Sequence, residues 1–377
     1  MIAPRLEIDL DKIHHNARTL VERLALRGIT VTGITKATLG TPEIAEVLIR
    51  AGVSGLGDSR IENIEAMRRS FAQATMTLIR SPMLSQADRV VAHADVSCNT
   101  ELDVIARLSY EAEAAKRIHG VMLMVELGDL REGIMPADIH DAVRETLRFH
   151  NIALKGIGTN LACQSGVTPD ANNMAELSAL ADSVESTFGI TLEIVSGGNS
   201  GNLCWALGGS DTGRIDNLRL GEAVLLGCEP LHRRPIDGLH TDAFTLVAEV
   251  IESKVKPSEP WGEIAQTAFG AKPAVADSGL RARTILALGR QDVDTCGLRS
   301  SSGIEVLGTS GDHLVMDAGT RLAIGSEIAF QPNYSALVQA MTSPFVTKVY
   351  SHQMRRDENA RTPQAPRKCG SGKYLSG

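Results

Sequence analysis

The sequence predicts an α/β protein, a (β/α)8 TIM barrel followed by a mainly β C-terminal domain. Three observations carry that prediction. Between Val31 and Gly221, eight short apolar runs alternate with helical patterns, as a closed parallel barrel requires. Beyond Arg234 the pattern changes to short β-rich runs separated by Gly, Pro and Ser. The 377 residues also exceed one ordinary domain, so two are expected. An open doubly wound sheet is the alternative, and the strand count favours closure.

The opening segment Leu6–Leu10 alternates with period two and is predicted as a strand that pairs with the C-terminal domain. The predicted barrel strands are Val31–Thr35, Val53–Gly57, Met76–Ile79, Val96–Cys98, Gly120–Glu126, Leu154–Gly158, Leu192–Val195 and Asn217–Leu220. Between them, one helix starts at Thr41-Pro42, with Thr41 as cap and Pro42 at the first helical position. Others cover Ile61–Ser70, Glu101–Lys116, Ala137–His150 and Asn172–Thr187. The later strands are Thr245–Ser253, Thr284–Leu288, Ile304–Leu307, His313–Asp317 and Glu327–Gln331. The expected organisation is a barrel over 13–235, a β domain over 236–350 joined by residues 1–12, and a flexible polar tail over 351–377.

Composition narrows the function. A hydrophobic share of 43% with 22% charged residues reads as soluble and globular. Only 3% aromatic residues and a net charge of −7 argue against a nucleic-acid partner. No apolar run approaches membrane-spanning length, and Arg5, Glu7 and Asp9 interrupt any secretory segment at the start. The six cysteines are scattered without zinc-type spacing, so no metal is expected and they read as reduced thiols of a cytoplasmic protein.

Three motifs carry chemistry. Lys36 closes the first barrel strand beside a Gly-containing turn, which projects its amine where α/β folds build sites. Burial there would lower its pKa and make it a base or nucleophile; a surface lysine is the alternative. Ser196-Gly197-Gly198-Asn199-Ser200-Gly201 follows the seventh strand, where glycines admit an anion to backbone amides and Ser and Asn add donors. An ordinary βα turn has the same composition. Arg219 ends the eighth strand and either pairs with Glu222 or Asp216 or faces the site, where it can donate hydrogen bonds but not give up its proton. His232-Arg233-Arg234 reads as surface charge.

These segments together resemble the alanine-racemase-type, fold type III enzymes that use pyridoxal 5′-phosphate (PLP), and within them the ornithine and lysine racemase-like branch. Arg5-Leu-Glu-Ile-Asp-Leu with Asn16 is similar to that group's opening strand and first helix. Lys36-Ala37 stands where the family has its Schiff-base lysine. Leu130-Arg131-Glu132-Gly133-Ile134 resembles the segment whose arginine approaches the cofactor phenolate. Gly156–Asn160 resembles the strand carrying a residue that packs on the pyridine ring, with Asn160 in place of histidine. Ser196 to Ser200, including Gly198 and Asn199, resembles the phosphate loop. Arg219-Leu220-Gly221 is similar to the segment whose arginine meets the pyridine nitrogen. Asn333-Tyr334 and 342–350 resemble the closing motif, in which the tyrosine reaches the phosphate. The resemblance runs from Arg5 to Tyr350.

The resemblance implies a racemase acting on a small amino acid substrate, with a basic side chain favoured, and a homodimer in which one β domain completes the neighbouring site. A D-threonine aldolase-type retro-aldolase and a non-catalytic PLP-carrier are the alternatives. The chain departs from the family at the second acid–base group, since Gly289-Arg290-Gln291-Asp292 lacks the family's tyrosine. A second tyrosine is missing shortly after Lys36, where Leu39-Gly40 stands. The candidates for the second base are Asp292, Asp312 and His313, then Cys296 or Tyr334.

Overall fold

The computed structural model describes residues 2–270, 277–300 and 304–352. The tail expected over 351–377 lies outside the described residues from 353 onward, while Ser351 closes a strand. In chain order the elements are β1 (Arg5–Asp9), α1 (Leu10–Ala25), β2 (Thr30–Ile34), α2 (Pro42–Arg50), β3 (Gly55–Asp58), α3 (Ile61–Ser70), β4 (Met76–Leu78) and α4 (Ala87–His93). They continue with β5 (Val96–Asn99), α5 (Leu102–Ala114), β6 (His119–Met124), α6 (Ile139–Thr146), β7 (Ile152–Gly158), α7 (Ala171–Phe188), β8 (Ile194–Ser196), α8 (Leu203–Leu207), β9 (Asn217–Leu220) and α9 (Glu222–Leu226). The last part holds β10 (Phe244–Pro257), β11 (Leu280–Leu286), β12 (Leu298–Ser300), β13 (Glu305–Thr309), β14 (Leu314–Asp317), β15 (Glu327–Pro332), α10 (Tyr334–Thr342) and β16 (Thr347–Ser351).

Strands β2 to β9 close into a parallel barrel, in chain order, with β9 returning to pair with β2. Its strands are short and largely apolar because both faces are covered, by helices outside and by side chains within. Val96, Cys98, Met122 and Met124 pack together inside, with Ile79 and Ile194 against them. Close strand approach demands glycine at Gly156, where an added Cβ would stand 1.9 Å from the Ile194 carbonyl oxygen. Thr41 precedes α2 as expected but makes no capping bond.

One buried polar cluster sits between β5 and β6. The Ser97 hydroxyl accepts from Asn99 Nδ2 at 2.9 Å and is hydrogen-bonded to His119 Nε2 at 2.8 Å. Burial pushes the His119 pKa down to about 4. Between pH 4 and the usual 6.5, the unfolded chain therefore takes up a proton that the folded chain refuses, and stability falls as pH drops. We expect the wild type to lose about 3 kcal/mol more than His119→Gln between pH 7 and pH 4, read by urea unfolding. Parallel losses in the two proteins would contradict this.

The second domain is a sheet in the order β12-β15-β10-β11-β14-β13, with β1 joined to β10 and β16. The opening strand thus leaves the barrel and pairs antiparallel with β10 and parallel with β16, as its alternation predicted. Arg5 seals it there through a two-pronged bond to Glu327 of β15, at 2.5 and 2.8 Å. β10 serves both halves of the sheet: its first part pairs with β1 and β15, and its second part pairs with β11. The pairing register shifts between Val250 and Glu252. From this domain α10 leans onto the 36–38 turn of the barrel. That contact places the site.

Candidate active site

The C-terminal ends of the barrel strands open into a cavity of about 590 Å3. Lys36, Arg131, Asn160, Asn199, Ser200, Arg219, Gly221 and Tyr334, all expected from the sequence, line it together. Ser59, Arg80, Glu132, Cys163, Glu222 and Arg233 also line it. Five non-glycine residues among those described have a left-handed backbone, and four of them (Leu39, Leu130, Ala162 and Arg233) flank this mouth. Strain of this kind costs on the order of 1–3 kcal/mol per residue and collects where geometry matters more than stability.

Lys36 begins a single 3-10 turn directly after β2. Its neighbours fix that turn. The Thr35 hydroxyl donates to Asp58 at 2.7 Å, and the Thr38 hydroxyl donates to the Thr35 carbonyl at 3.0 Å. Asp58 is fully buried, and burial pushes its carboxyl pKa up. The sequence expectation of a buried Lys36 amine does not hold, because the side chain is exposed to the cavity mouth. The lysine stands on a rigid base with a free head.

Arg219 is only 5% exposed and, among the described residues, has no carboxylate partner; neither Glu222 nor Asp216 pairs with it. Its two terminal nitrogens donate to the Ser196 hydroxyl, at 2.5 Å, and to the Thr159 carbonyl, at 2.6 Å. Among the described residues no partner meets Nε, although the side chain faces the cavity. Burial lowers its pKa, but a guanidinium remains a cation and a pure donor.

Ser196 corrects the sequence reading. Side chains alternate along a strand, so Ser196 faces the barrel interior as Ile194 does. Its hydroxyl donates to Asn217 at 2.8 Å and receives Arg219, which leaves nothing for an anion. Ser196 holds the arginine. Ser200 is different: its oxygen accepts from the Ala223 amide at 3.2 Å, and its own proton stays available on the cavity wall. Gly198 has φ +139°, and a Cβ there would stand 2.3 Å from Asn202 Oδ1, so the turn ahead of Asn199 tolerates no side chain.

Tyr334 opens α10, and burial pushes its phenol up to about 12, so it enters the cavity as a hydroxyl donor. Arg131 pairs with Glu132, and Arg233 with Glu222, each at the cavity wall. Arg233, read from the sequence as surface charge, is carried there by a loop whose backbone amides at Leu231, His232 and Arg234 all donate to the buried Glu229 carboxylate. A glutamate four residues upstream of Arg233 is a weak sequence signal for that.

Of the candidates for a second base, Tyr334 lines this cavity, whereas Asp292, Asp312, His313 and Cys296 do not. Asp292 is buried and spent on the Gly289 amide, at 3.0 Å, and the Ser343 hydroxyl, at 3.4 Å. Asp312 and His313 form an exposed pair, 2.6 Å apart, on the β domain. Cys296 is exposed beside Asp294 and does not line the cavity.

The cavity fits PLP on its own chemistry. It offers an amine for covalent attachment, a buried arginine with an open Nε, a hydroxyl-bearing turn, and the cations Arg80, Arg131 and Arg233 for a dianion. Among the described residues no three His, Cys, Asp or Glu side chains gather as metal ligands would. No helix among them is long and apolar enough to cross a membrane.

Comparison with known proteins gives a consistent result. Residues 8–230 match the family model described as alanine racemase, N-terminal domain. The chain is 40% identical over 353 residues to lysine racemase of Thermotoga maritima, covering 93% of this chain and 99% of that protein. It is 38% identical over 351 residues to ornithine racemase of Acetoanaerobium sticklandii, covering 92% and 99%. Among solved structures, alanine racemase from a D-cycloserine-producing Streptomyces lavendulae superposes with a TM-score of 0.71 at 18% identity, covering 94% of this chain and 99% of the other. D-threonine aldolase from Filomicrobium marinum gives a TM-score of 0.71 at 15% identity, covering 93% and 91%. At such identities the structures show a shared fold alone.

Proposed function

The chain belongs to the alanine racemase family, and on that premise we propose that it is a PLP-dependent racemase interconverting the enantiomers of lysine or ornithine. The observation that carries the reading is the meeting of Lys36, Arg219, Ser200 and Tyr334 in one cavity, in a chain alike over nearly its whole length to two racemases of basic amino acids. The retro-aldolase alternative has only a shared fold behind it. A carrier would have no use for the large sheet built on β10.

When bound, PLP withdraws electrons from the substrate's α-carbon and so makes its proton removable. The chain supplies the rest. Lys36 Nζ, free at the mouth, is the covalent anchor and then one base. Ser200 and Tyr334 would hold the phosphate as hydroxyl donors, with Gly198 and Asn199 shaping the turn. Asn160 would pack on the ring, and Arg131 would hold the phenolate side. Arg219, held by Ser196 and Thr159 with Nε facing the cavity, would meet the ring nitrogen as a donor that cannot hand over its proton. This weakens electron withdrawal and limits side reactions. Glu132 and Glu222 offer acceptors for a distal ammonium group. We read the working unit as a cytoplasmic homodimer.

The test is a panel of L-amino acids incubated with PLP and protein, then separated by chiral chromatography. Lysine and ornithine should be racemised at least about tenfold faster than alanine or serine, the selectivity expected when a polar group has a matched partner. Preference for alanine, or no D-product from any of them, would overturn the reading.

A further inference from the structure

We propose that Arg233 binds the phosphate of the cofactor, as the cation of a subsite it forms with Ser200 and Tyr334; the inference rests on the PLP reading above. A phosphate monoester carries about two negative charges at neutral pH. Neutral hydroxyls leave that charge unanswered, and charge-assisted hydrogen bonds are roughly twice as strong as neutral ones.

Arg80, Arg131 and Arg233 all line the cavity, and their places in the fold tell them apart. Ser200 follows β8. Arg80 follows β4, four strands away in the closed ring, so it enters from the far side of the mouth. Arg131 follows β6 and pairs with its neighbour Glu132. Arg233 follows β9 and α9, and β9 adjoins β8 in the ring.

Contacts tie Arg233 to the Ser200 turn from two sides. Its guanidinium pairs with Glu222, and the next residue, Ala223, donates its amide to Ser200 Oγ at 3.2 Å. A Cβ added at Gly201 would stand 3.5 Å from Leu231 Cδ2, so the loop carrying Arg233 packs on the turn carrying Ser200. Tyr334 closes the group. Burial pushes its phenol up to about 12, and Arg233 is near enough to pull it the other way.

The loop is built to present this side chain. The Glu229 carboxylate, 4% exposed, accepts the amides of Leu231, His232 and Arg234 at 2.7, 3.0 and 3.0 Å. The Glu229 amide in turn donates to the Arg234 carbonyl at 3.0 Å. Arg233, inside this knot, is held left-handed at φ +60°. Residues with a side chain adopt that conformation at a cost, and such strain gathers at ligand sites. Glu222 does not use up the guanidinium, whose five N–H donors in one plane can hold a carboxylate and a phosphate together.

The test is equilibrium titration of the full chain, stripped of cofactor, with PLP and separately with pyridoxal, which lacks the phosphate. It compares the wild type with Arg233→Gln, Arg233→Lys, Arg80→Gln and Glu222→Gln. Arg233→Gln should weaken PLP binding about 10–100-fold, the loss expected of a charge-assisted bond, and leave pyridoxal binding within a few-fold. Arg233→Lys keeps the charge but not the planar fork, so it should fall between. Glu222→Gln should bind PLP at least as tightly as the wild type, because it removes a carboxylate that competes for Arg233. Were Arg233 only half of a structural ion pair, Glu222→Gln would weaken PLP binding as Arg233→Gln does. The phosphorus NMR resonance of bound PLP should also move in Arg233→Gln. Unchanged PLP affinity in Arg233→Gln, an equal loss for pyridoxal, a loss shared by Glu222→Gln, a loss carried by Arg80→Gln in its place, or an unmoved resonance would each overturn the proposal. Failure of the wild type to bind PLP on Lys36 would instead overturn the reading on which it rests.

Discussion

Lys36→Ala should abolish racemisation, with a loss on the order of 10⁴-fold or more even at saturating PLP, because the chain loses its covalent anchor and one base in a single change. The fold should survive, since the side chain is exposed and the turn is held by Thr35, Asp58 and Thr38. Lys36→Arg should be equally inactive although it keeps the charge, for a guanidinium neither attacks nor gives up a proton. Circular dichroism and thermal melting within a few degrees of wild type, beside lost activity, is the expected pair of results. Activity within tenfold of wild type in either variant would move the anchor to another lysine.

Arg219→Glu should have the second largest effect, and the structure enlarges it. Beyond changing the electronics of the ring, it removes two donors from a site that is 5% exposed and sets a carboxylate against the Thr159 carbonyl. Hydrogen bonds to charged groups are worth roughly 1.5–3 kcal/mol each, so a loss of about 3 kcal/mol in unfolding free energy is expected. Racemisation should fall, and in the folded fraction substrate should bring a new long-wavelength absorbance and more transamination by-product. Arg219→Lys keeps a donor and the charge but not the planar fork, so it should fall between. Arg219→Glu with wild-type rate, spectrum and stability would leave Arg219 without its proposed part.

What was legible in the sequence follows physical lines. The barrel could be read because short apolar runs bounded by helices are the direct signature of strands covered on both faces. Period-two alternation marked β1 as a strand, while its partners β10 and β16 come from the fold. Two elements near the end, α10 and β16, were read as a motif only. α10 is nine residues long, too short for its periodicity to stand out, and β16 is only half-buried along its length. At the site, Lys36, Asn160, Arg219 and Gly221, placed by their positions at strand ends, line the mouth. Ser196 was misjudged because a loop motif hides which face a strand residue takes. Arg233 was missed because Glu229 sets it in place by gathering backbone amides, a bond pattern that leaves no residue spacing to read.

The central claim is that this cavity holds PLP on Lys36. The most direct measurement is borohydride reduction of the protein incubated with PLP, followed by peptide mass mapping. The account predicts one pyridoxyl-phosphate adduct per chain, on the peptide containing Lys36 and absent from Lys36→Ala. Stoichiometric label on any other lysine, or none at all, would contradict it.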